Sequence, residues 1–352
     1  MDRIVIRRPG VEEVTTLGIA DTQWVSDPQT GDDFATDWWA IPGLVDAHCH
    51  LAKDVLEPGP GDPGGARARA FAYLERGVFC VVDKGWTDTT VMTLTDVDPT
   101  ARPDFEAAGE VLTVPGGYFP GFREIDPADI ADEVREVAGD AAGWVKLIGD
   151  WPRKGRGAVP NFDLDQLRTG VEAAHGAGAR VAIHTMAPDV PSMAVEAGVD
   201  SIEHGLFLTE EAIGVLGRRG GAWVPTLLQV EKTIVQLGAD SSGGRLLSEG
   251  RDNIESLLAD AIAAGVVVMA GTDFATDLAD VVSEGLRLGQ AGLSPGDIIT
   301  MLCDAPRSYM RLTAGFELGE PADAVFFEAD PIITPGVLTH PVAVLRHGRL
   351  LG

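Results

Sequence analysis

From Gly43 onward the chain repeats one pattern: a short apolar run, a loop, then a stretch with helical spacing of its apolar positions. The runs predict strands over residues 44–47, 78–82, 110–114, 144–148, 180–183, 201–203, 222–225 and 266–270. Helices are expected between them, among others over 66–76, 127–138, 164–177 and 246–264. Asp163, three residues before Gln166, predicts a capping box, and Ser294-Pro295 sets a cap before a proline at the first helical position. Strands alternating with helices in this way fit an α/β fold of the (β/α)8 TIM-barrel type. A doubly wound open sheet is the alternative, but it draws its site from the few strands beside its crossover point.

Both chain ends read differently. Residues 3–7 and 13–19 are strand-like, broken by Pro9-Gly10 and by a polar stretch over 27–33, and strands and turns return over 322–328 and 342–349. Residues 1–42 and 320–352 are therefore expected to form one small β-sandwich-like domain beside a catalytic barrel of residues 43–319.

Candidate chemistry gathers where the apolar runs end. The first run closes in His48-Cys49-His50, and alternate residues of a strand share a face, so the two imidazoles can grip one metal ion. Lys146 lies inside the fourth run, His184 ends the fifth, His204 ends the sixth and Asp273 follows the eighth. Barrel enzymes build their sites at the C-terminal ends of their strands, which brings these side chains to one mouth. Four histidines, a carboxylate and a lysine make a ligand set for one or two transition ions. A protonated lysine beside a dication is repelled. Its neutral amine can instead react with carbon dioxide, giving an anionic carbamate whose two oxygens can bridge two metals. His175, His340 and His347 lie on a helix, before a proline and in the terminal β layer, outside this set.

Composition narrows the partners. A net charge of -27 disfavours nucleic acid and anionic membrane surfaces. No apolar run reaches the roughly 18 residues of a membrane span, and the N-terminus lacks the order of a secretion signal, so a cytoplasmic location is expected. Cys49, Cys80 and Cys303 form neither a disulfide framework nor a metal motif. Only five lysines stand against 22 arginines, which makes a lysine inside an apolar strand more conspicuous.

The segments 42–50, 198–205, 270–273 and 321–325, together with Lys146 and His184, resemble the amidohydrolase superfamily of metal-dependent hydrolases. Within it the resemblance is closest to the branch of imidazolonepropionases and prolidase-like dipeptidases. The resemblance implies a binuclear centre, usually zinc. His48, His50 and Asp273 would hold the more buried Zn2+ and His184 with His204 the more exposed one, bridged by carboxylated Lys146 and a hydroxide. Asp83 matches an acid found after the second strand in this branch and reads as supporting structure. Two features depart from the pattern: Tyr118 follows the glycines where prolidase-like relatives often carry a histidine, and the N-terminal β portion is short.

The resemblance further implies hydrolysis of an amide-type C–N bond, in an N-acyl amino acid, a dipeptide or a cyclic amide, with the hydroxide as nucleophile and Asp273 as general base and acid. Arg153, with Lys154 and Arg156 beside it, could bind a substrate carboxylate, and Tyr118 and Trp151 could supply an aromatic wall. The Gly/Pro-rich segment 57–65 could act as a lid or merely connect. A small-molecule substrate is the expected partner, with a homo-oligomer left open. The alternatives are a mononuclear imidazolone or cyclic-amidine hydrolase or deaminase, a lactone, ester or carbamate hydrolase on the same site, and a non-catalytic barrel that only binds.

Overall fold

Unbroken runs of Val, Ile and Leu suit strands covered on both faces, which is the habit of parallel sheets. In the computed structural model, which describes residues 3–28, 33–35, 37–53, 59–275 and 280–351, the α/β core is built from such strands. Leu44–Cys49, Val78–Asp83 and Trp144–Ile148 are buried along their whole length. One parallel sheet joins Leu44–Cys49, Val78–Asp83 and Asp104–Ala107. A second runs in the order Arg123–Glu124, Val111–Thr113, Trp144–Ile148, Arg180–Thr185, Ser201–His204, Ala222–Val224, Val267–Val268. Single parallel bridges, Trp86 with Glu110 and Ala107 with Gly143, connect the two sheets. At their other ends the Ala47 N–H donates to the Ala270 carbonyl at 2.9 Å.

The strand expected over 110–114 is the second half of a longer path interrupted at Gly109, whose φ is +70°. Its first half, Asp104–Ala107, pairs with Val78–Asp83, while Val111–Thr113 pairs with Trp144–Ile148. Asp-Phe-Glu-Ala carries no apolar run to mark it as a strand.

Alternation along the strands sorts the side chains. Val145, Leu147, Val181, Ile183 and Ile202 join the large core that also contains the helices' apolar faces. Trp144, Ala182, Ala222 and Val224 belong to a separate, smaller cluster. Lys146 stands two residues beyond Trp144, and His184 two beyond Ala182, so both share the face turned away from the helices.

The helices carry the caps expected of them. Leu164–Gly176 opens on the Asp163–Gln166 capping box, and Pro295–Ile299 opens on Ser294 with Asp297 answering it. Pro63–Glu75 begins before the expected 66–76, so helix replaces the end of the supposed 57–65 connection. Residues 57 and 58 of that segment lie outside the described ones, whereas the Gly61 N–H bonds Asp88 Oδ2 at 2.7 Å.

The two chain ends build two four-stranded sheets, one of them shared, antiparallel except where Arg3–Arg7 runs parallel to Asp33–Phe34. Trp39–Ile41 pairs with Ala324–Phe327, which pairs with Ala343–Arg346 and that in turn with Arg349–Leu351. A second sheet orders Gln23–Ser26, Val14–Ala20, Arg3–Arg7 and Asp33–Phe34. Ile4, Ile6, Trp24, Phe326 and Leu345 share one buried cluster, so residues from both ends contribute to it.

One helix start is capped from a distance, with a consequence for pH dependence. Thr226 precedes Leu227–Leu237 without making a side-chain cap, and the buried Glu284 carboxyl group accepts the Leu227 and Leu228 N–H groups instead, at 2.6 and 2.9 Å. Burial is the leading influence on Glu284 and pushes its pKa up from 4.5 to about 8, against the lowering by those two N–H groups. The native state therefore holds an extra proton between these two values, and stability falls as pH rises through that window. In Glu284→Gln the drop in Tm between about pH 6 and 9 should be shallower than in the wild type by roughly 2 °C. Parallel slopes in a thermal melt series would remove this assignment.

Candidate metal centre

The strands Leu44–Cys49, Trp144–Ile148, Arg180–Thr185 and Ser201–His204 send side chains from near their C-terminal ends into a cavity of about 380 Å³. His48, His50, Lys146, His184, His204 and Asp273 all line it. Ring centroids are 4.6 Å apart for His184 and His204, 5.3 Å for His48 and His50, and 5.5 Å for His48 and His204. Asp273 Oδ1 lies 3.4 Å from His50 Nε2 and 3.9 Å from His48 Nε2. One ligand atom from each of His48, His50 and Asp273 falls within 4.8 Å of the others, a grouping that could hold a metal ion.

The imidazoles are oriented from behind. His50 Nδ1 is 2.8 Å from the Gly85 carbonyl, which only accepts, so this nitrogen carries the proton and Nε2 keeps its lone pair. His48 Nδ1 is 2.6 Å from Glu203 Oε2, an ionised acceptor, with the same result. The Thr226 hydroxyl donates to the Pro225 carbonyl and so accepts from His204 Nδ1 at 2.6 Å. This is why Thr226 leaves its helix to be capped by Glu284. Outer hydrogen bonds of this kind fix the tautomer of metal-binding histidines. Burial keeps the His48 and His204 rings neutral, lowering His48 to about 3 and His204 to about 4. His184 is likewise held well below its ordinary value by burial first and by His204 second.

Two further nitrogens are left without partners. His184 Nε2 and Lys146 Nζ are buried and make no hydrogen bond. Burial lowers the Lys146 pKa to about 8, with Glu203 raising it and Lys84 lowering it further. Buried polar atoms are rarely left unbonded, and here they line the same cavity as three inward-facing lone pairs and a carboxylate. The donor set fits a bound transition-metal centre.

Backbone geometry is unusual at the same place. His204, Thr226 and Asp273 have φ of 63°, 47° and 48°, values that L-residues adopt at a cost. The Asp273 N–H is tied to the His48 carbonyl at 2.7 Å. Gly271 passes so close that a Cβ there would sit 2.6 Å from His48 Cβ.

Two charged residues given no role in the sequence reading complete the arrangement. Glu203 is fully buried and touches His48, Lys84 Nζ at 3.1 Å and the Ser201 hydroxyl at 2.6 Å. Lys84, also fully buried, lies over the Trp144 ring at 4.2 Å. The available signal was a charge embedded in an apolar strand, the same signal that singled out Lys146. Asp83 accepts the Leu51 and Gly85 N–H groups and so braces the segments that carry His50 and its acceptor.

Of the expected substrate contacts, Tyr118 and Trp151 stand on the cavity wall, with ring centroids 4.6 Å apart. Arg153 does not line the cavity. The segment taken for a basic loop is a hairpin of Asp150–Arg153 and Gly157–Pro160. Arg153 Nη2 donates to Asn161 Oδ1 at 3.0 Å, while Lys154 and Arg156 are exposed at the turn. Asn161 in turn donates to the Gly117 and Ile148 carbonyls, so this guanidinium is tied to the support of the wall.

The sequence pattern described as the Amidohydrolase family matches residues 39–351. A protein of Mycobacterium tuberculosis with no assigned activity is 32% identical over 99% of this chain and 96% of its own length. The ochratoxinase of Aspergillus niger is 24% identical over 86% of this chain and 73% of its own. Its crystal structure superimposes with a TM-score of 0.80 at 19% identity, covering 99% of this chain and 96% of that one. A crystal structure of a Xaa-Pro dipeptidase with bound methionine gives a TM-score of 0.82 at 20% identity, covering 99% and 100%.

Removing one member of a buried ion pair leaves the other uncompensated. Lys84→Met should cost about 3–5 kcal/mol in urea denaturation, and Lys84→Met with Glu203→Gln should cost less than the two singles together. A loss below about 1 kcal/mol for Lys84→Met would mean that the pair carries little of the stability.

Proposed function

Because the chain belongs to the amidohydrolase family, we propose that it is a metal-dependent hydrolase that cleaves an amide-type C–N bond in a small molecule. The observation that carries this reading is the convergence of His48, His50, His184, His204, Lys146 and Asp273 on one cavity, with the outer nitrogens of three histidines already committed. A dipeptidase among the structural neighbours supports a peptide-like bond as the target.

In this reading His48, His50 and Asp273 would hold one ion, His184 and His204 a second, and Lys146 as its carbon dioxide adduct would lie between them. A lysine whose pKa burial lowers to about 8 is partly neutral near pH 7, and the neutral amine is the form that takes up carbon dioxide. Bound metal supplies a nucleophilic water near neutral pH and polarises the scissile carbonyl. The Asp273 carboxylate accepts the proton of the attacking water and returns it to the departing amine. Its left-handed backbone and its bond to the His48 carbonyl keep it oriented for both transfers. Tyr118 and Trp151 offer the apolar part of the substrate an aromatic surface.

The same proposal reads the parallel strands as one closed (β/α)8 barrel of residues 43–319, which the bond from Ala47 to Ala270 supports. Residues 1–42 and 320–352 would form the composite β domain, which their shared core supports. A mononuclear centre is the second reading. It rests on the narrower grouping of His48, His50 and Asp273 alone.

Elemental analysis of the purified chain should find about two divalent transition ions per chain, and about one would select the mononuclear reading. Metal-loaded protein should hydrolyse members of a panel of N-acyl amino acids, dipeptides and cyclic amides, and chelation should abolish this until Zn2+ is restored. Asp273→Asn should lower kcat by about 10²–10⁴-fold. Failure to take up any metal, or an Asp273→Asn variant at the wild-type rate, would overturn the proposal.

A further inference from the structure

We infer that Gln229 selects substrates that carry a second, uncharged carbonyl group near the bond to be cleaved, held by a hydrogen bond from its side-chain amide. This inference rests on the hydrolase reading above and names the substrate class for that same site.

The helix Leu227–Leu237 starts beside the histidine cluster, because Thr226, the residue before it, accepts from His204 Nδ1 at 2.6 Å. Gln229, Thr233 and Gln236 all line the cavity, and spacings of four and three put them on one face of the helix. At a rise of 1.5 Å per residue, Gln229 stands about 4.5 Å along the axis from Thr226, and Thr233 about 10 Å. Gln229 is only 7% exposed. Its Oε1 is shut away in the wall. Nε2 is not shut away with it: this nitrogen keeps surface in the cavity and meets no acceptor among the described residues. The Thr233 hydroxyl, one turn on, donates to the Gln229 backbone carbonyl at 2.8 Å and so offers a ligand only lone pairs. Gln236 is exposed farther out, which leaves Gln229 as the enclosed donor of this face.

A substrate that enters strips water from this amide and gains only if it offers an acceptor in return. The acceptor that suits it is neutral. A carboxylate would bring a full charge against an uncharged donor, with Leu237, Leu246 and Leu247 on the same cavity wall. Among the described residues, Lys84 and Lys146 are the only Lys or Arg side chains that line the cavity. Lys84 is paired with Glu203 at 3.1 Å, and Lys146 belongs to the histidine cluster. An amide or ester carbonyl accepts the same bond without a charge to compensate. Gln229 stands less than one helical turn from the residue that holds His204, so the carbonyl it receives lies a few bonds from the scissile one. Peptides and acylated amino acid amides have that spacing. Gln229 is thus a specificity-determining residue, and Asp273 keeps the proton transfers.

The test uses matched pairs with the metal-loaded enzyme. N-acetylglycine anilide and pentanoyl anilide have acyl chains of equal length, and only the first carries a second carbonyl; release of aniline is followed. N-phenylacetyl-alaninamide and N-phenylacetyl-sec-butylamine set the same difference on the amine side, with N-phenylacetyl-alanine as the charged form; release of phenylacetate is followed. The wild type should prefer the carbonyl-bearing member of at least one pair by tenfold or more in kcat/KM, and should not prefer the alanine derivative to the alaninamide. Gln229→Leu, which keeps the approximate size and removes the donor, should lower kcat/KM for the preferred member at least tenfold more than for its partner. In parallel, calorimetry uses the ketones of both pairs, in which a CH2 replaces the scissile N–H. The carbonyl-bearing ketone of the preferred pair should bind the wild type more tightly than its partner, and Gln229→Leu should erase that difference. Equal losses for both members, no preference in the wild type, or preference for the carboxylate would each overturn the inference. Ketone binding that depends on Gln229, in a protein that hydrolyses nothing, would sustain it while sinking the hydrolase reading. Because the wild-type comparisons need no variant, a poorly folding Gln229→Leu leaves the inference open to refutation.

Discussion

The buried carboxylate of Glu203 holds together both the electrostatics and the geometry of the cavity. An isolated charge in such surroundings is costly, and here it is answered on three sides by Lys84, the His48 ring and the Ser201 hydroxyl. Burial alone would raise its pKa, but the charge of Lys84 above all, then His48 and Lys146, keep the carboxyl ionised far below its ordinary value. An ionised Glu203 can only accept from His48, which fixes the tautomer that turns Nε2 toward Asp273. The residue that follows it is His204, so one short strand supplies an inward-facing imidazole and the orienting group of another.

The same economy runs through the supports farther out. Thr226 would ordinarily cap its own helix, but its hydroxyl is used to orient His204, and Glu284 from another helix takes over the cap. Asp46 shows the pattern again: it binds Thr272 through backbone and side chain and receives the Tyr73 hydroxyl, locking the segment before Asp273 to the strand that carries His48. Of these supports Thr226 has given up the cap of its own helix, while Asp46 also accepts the nearby His48 N–H. Such arrangements cost stability locally and keep the site rigid.

How legible this was in the sequence depends on the kind of signal each part leaves. Strands covered on both faces leave long apolar runs, and a charged or metal-ligating residue within or just after such a run stands out. His48, Lys146, His184, His204 and Asp273 were found that way, and they line one cavity. Glu203 and Lys84 leave the same trace, but a residue that acts through another offers nothing in sequence to say whom it touches. Asp104–Ala107 went unnoticed because it alternates polar and apolar residues on a short span. The basic segment after the Lys146 strand misled for a different reason: three cations close in sequence were read as one surface, whereas a hairpin turns two outward and the third bonds Asn161.

The strained residues bear on what the cavity is for. A left-handed φ at a residue other than glycine persists only where surrounding bonds over-determine it; His204 and Asp273 are two such positions on the cavity wall, and Thr226, which holds His204 from behind, is a third. Asp273 is the most telling. A relaxed backbone there would be free to let a carboxylate turn toward water, which hydrates it better than this partly enclosed wall. Instead its N–H is pinned to the His48 carbonyl, and Oδ1 is brought to 3.4 Å from His50 Nε2. Imidazole nitrogens that present lone pairs gain little from closeness to a carboxylate oxygen, which presents lone pairs as well. What repays the crowding is a positive charge between them, and the fold keeps that space ready through backbone bonds that do not depend on it.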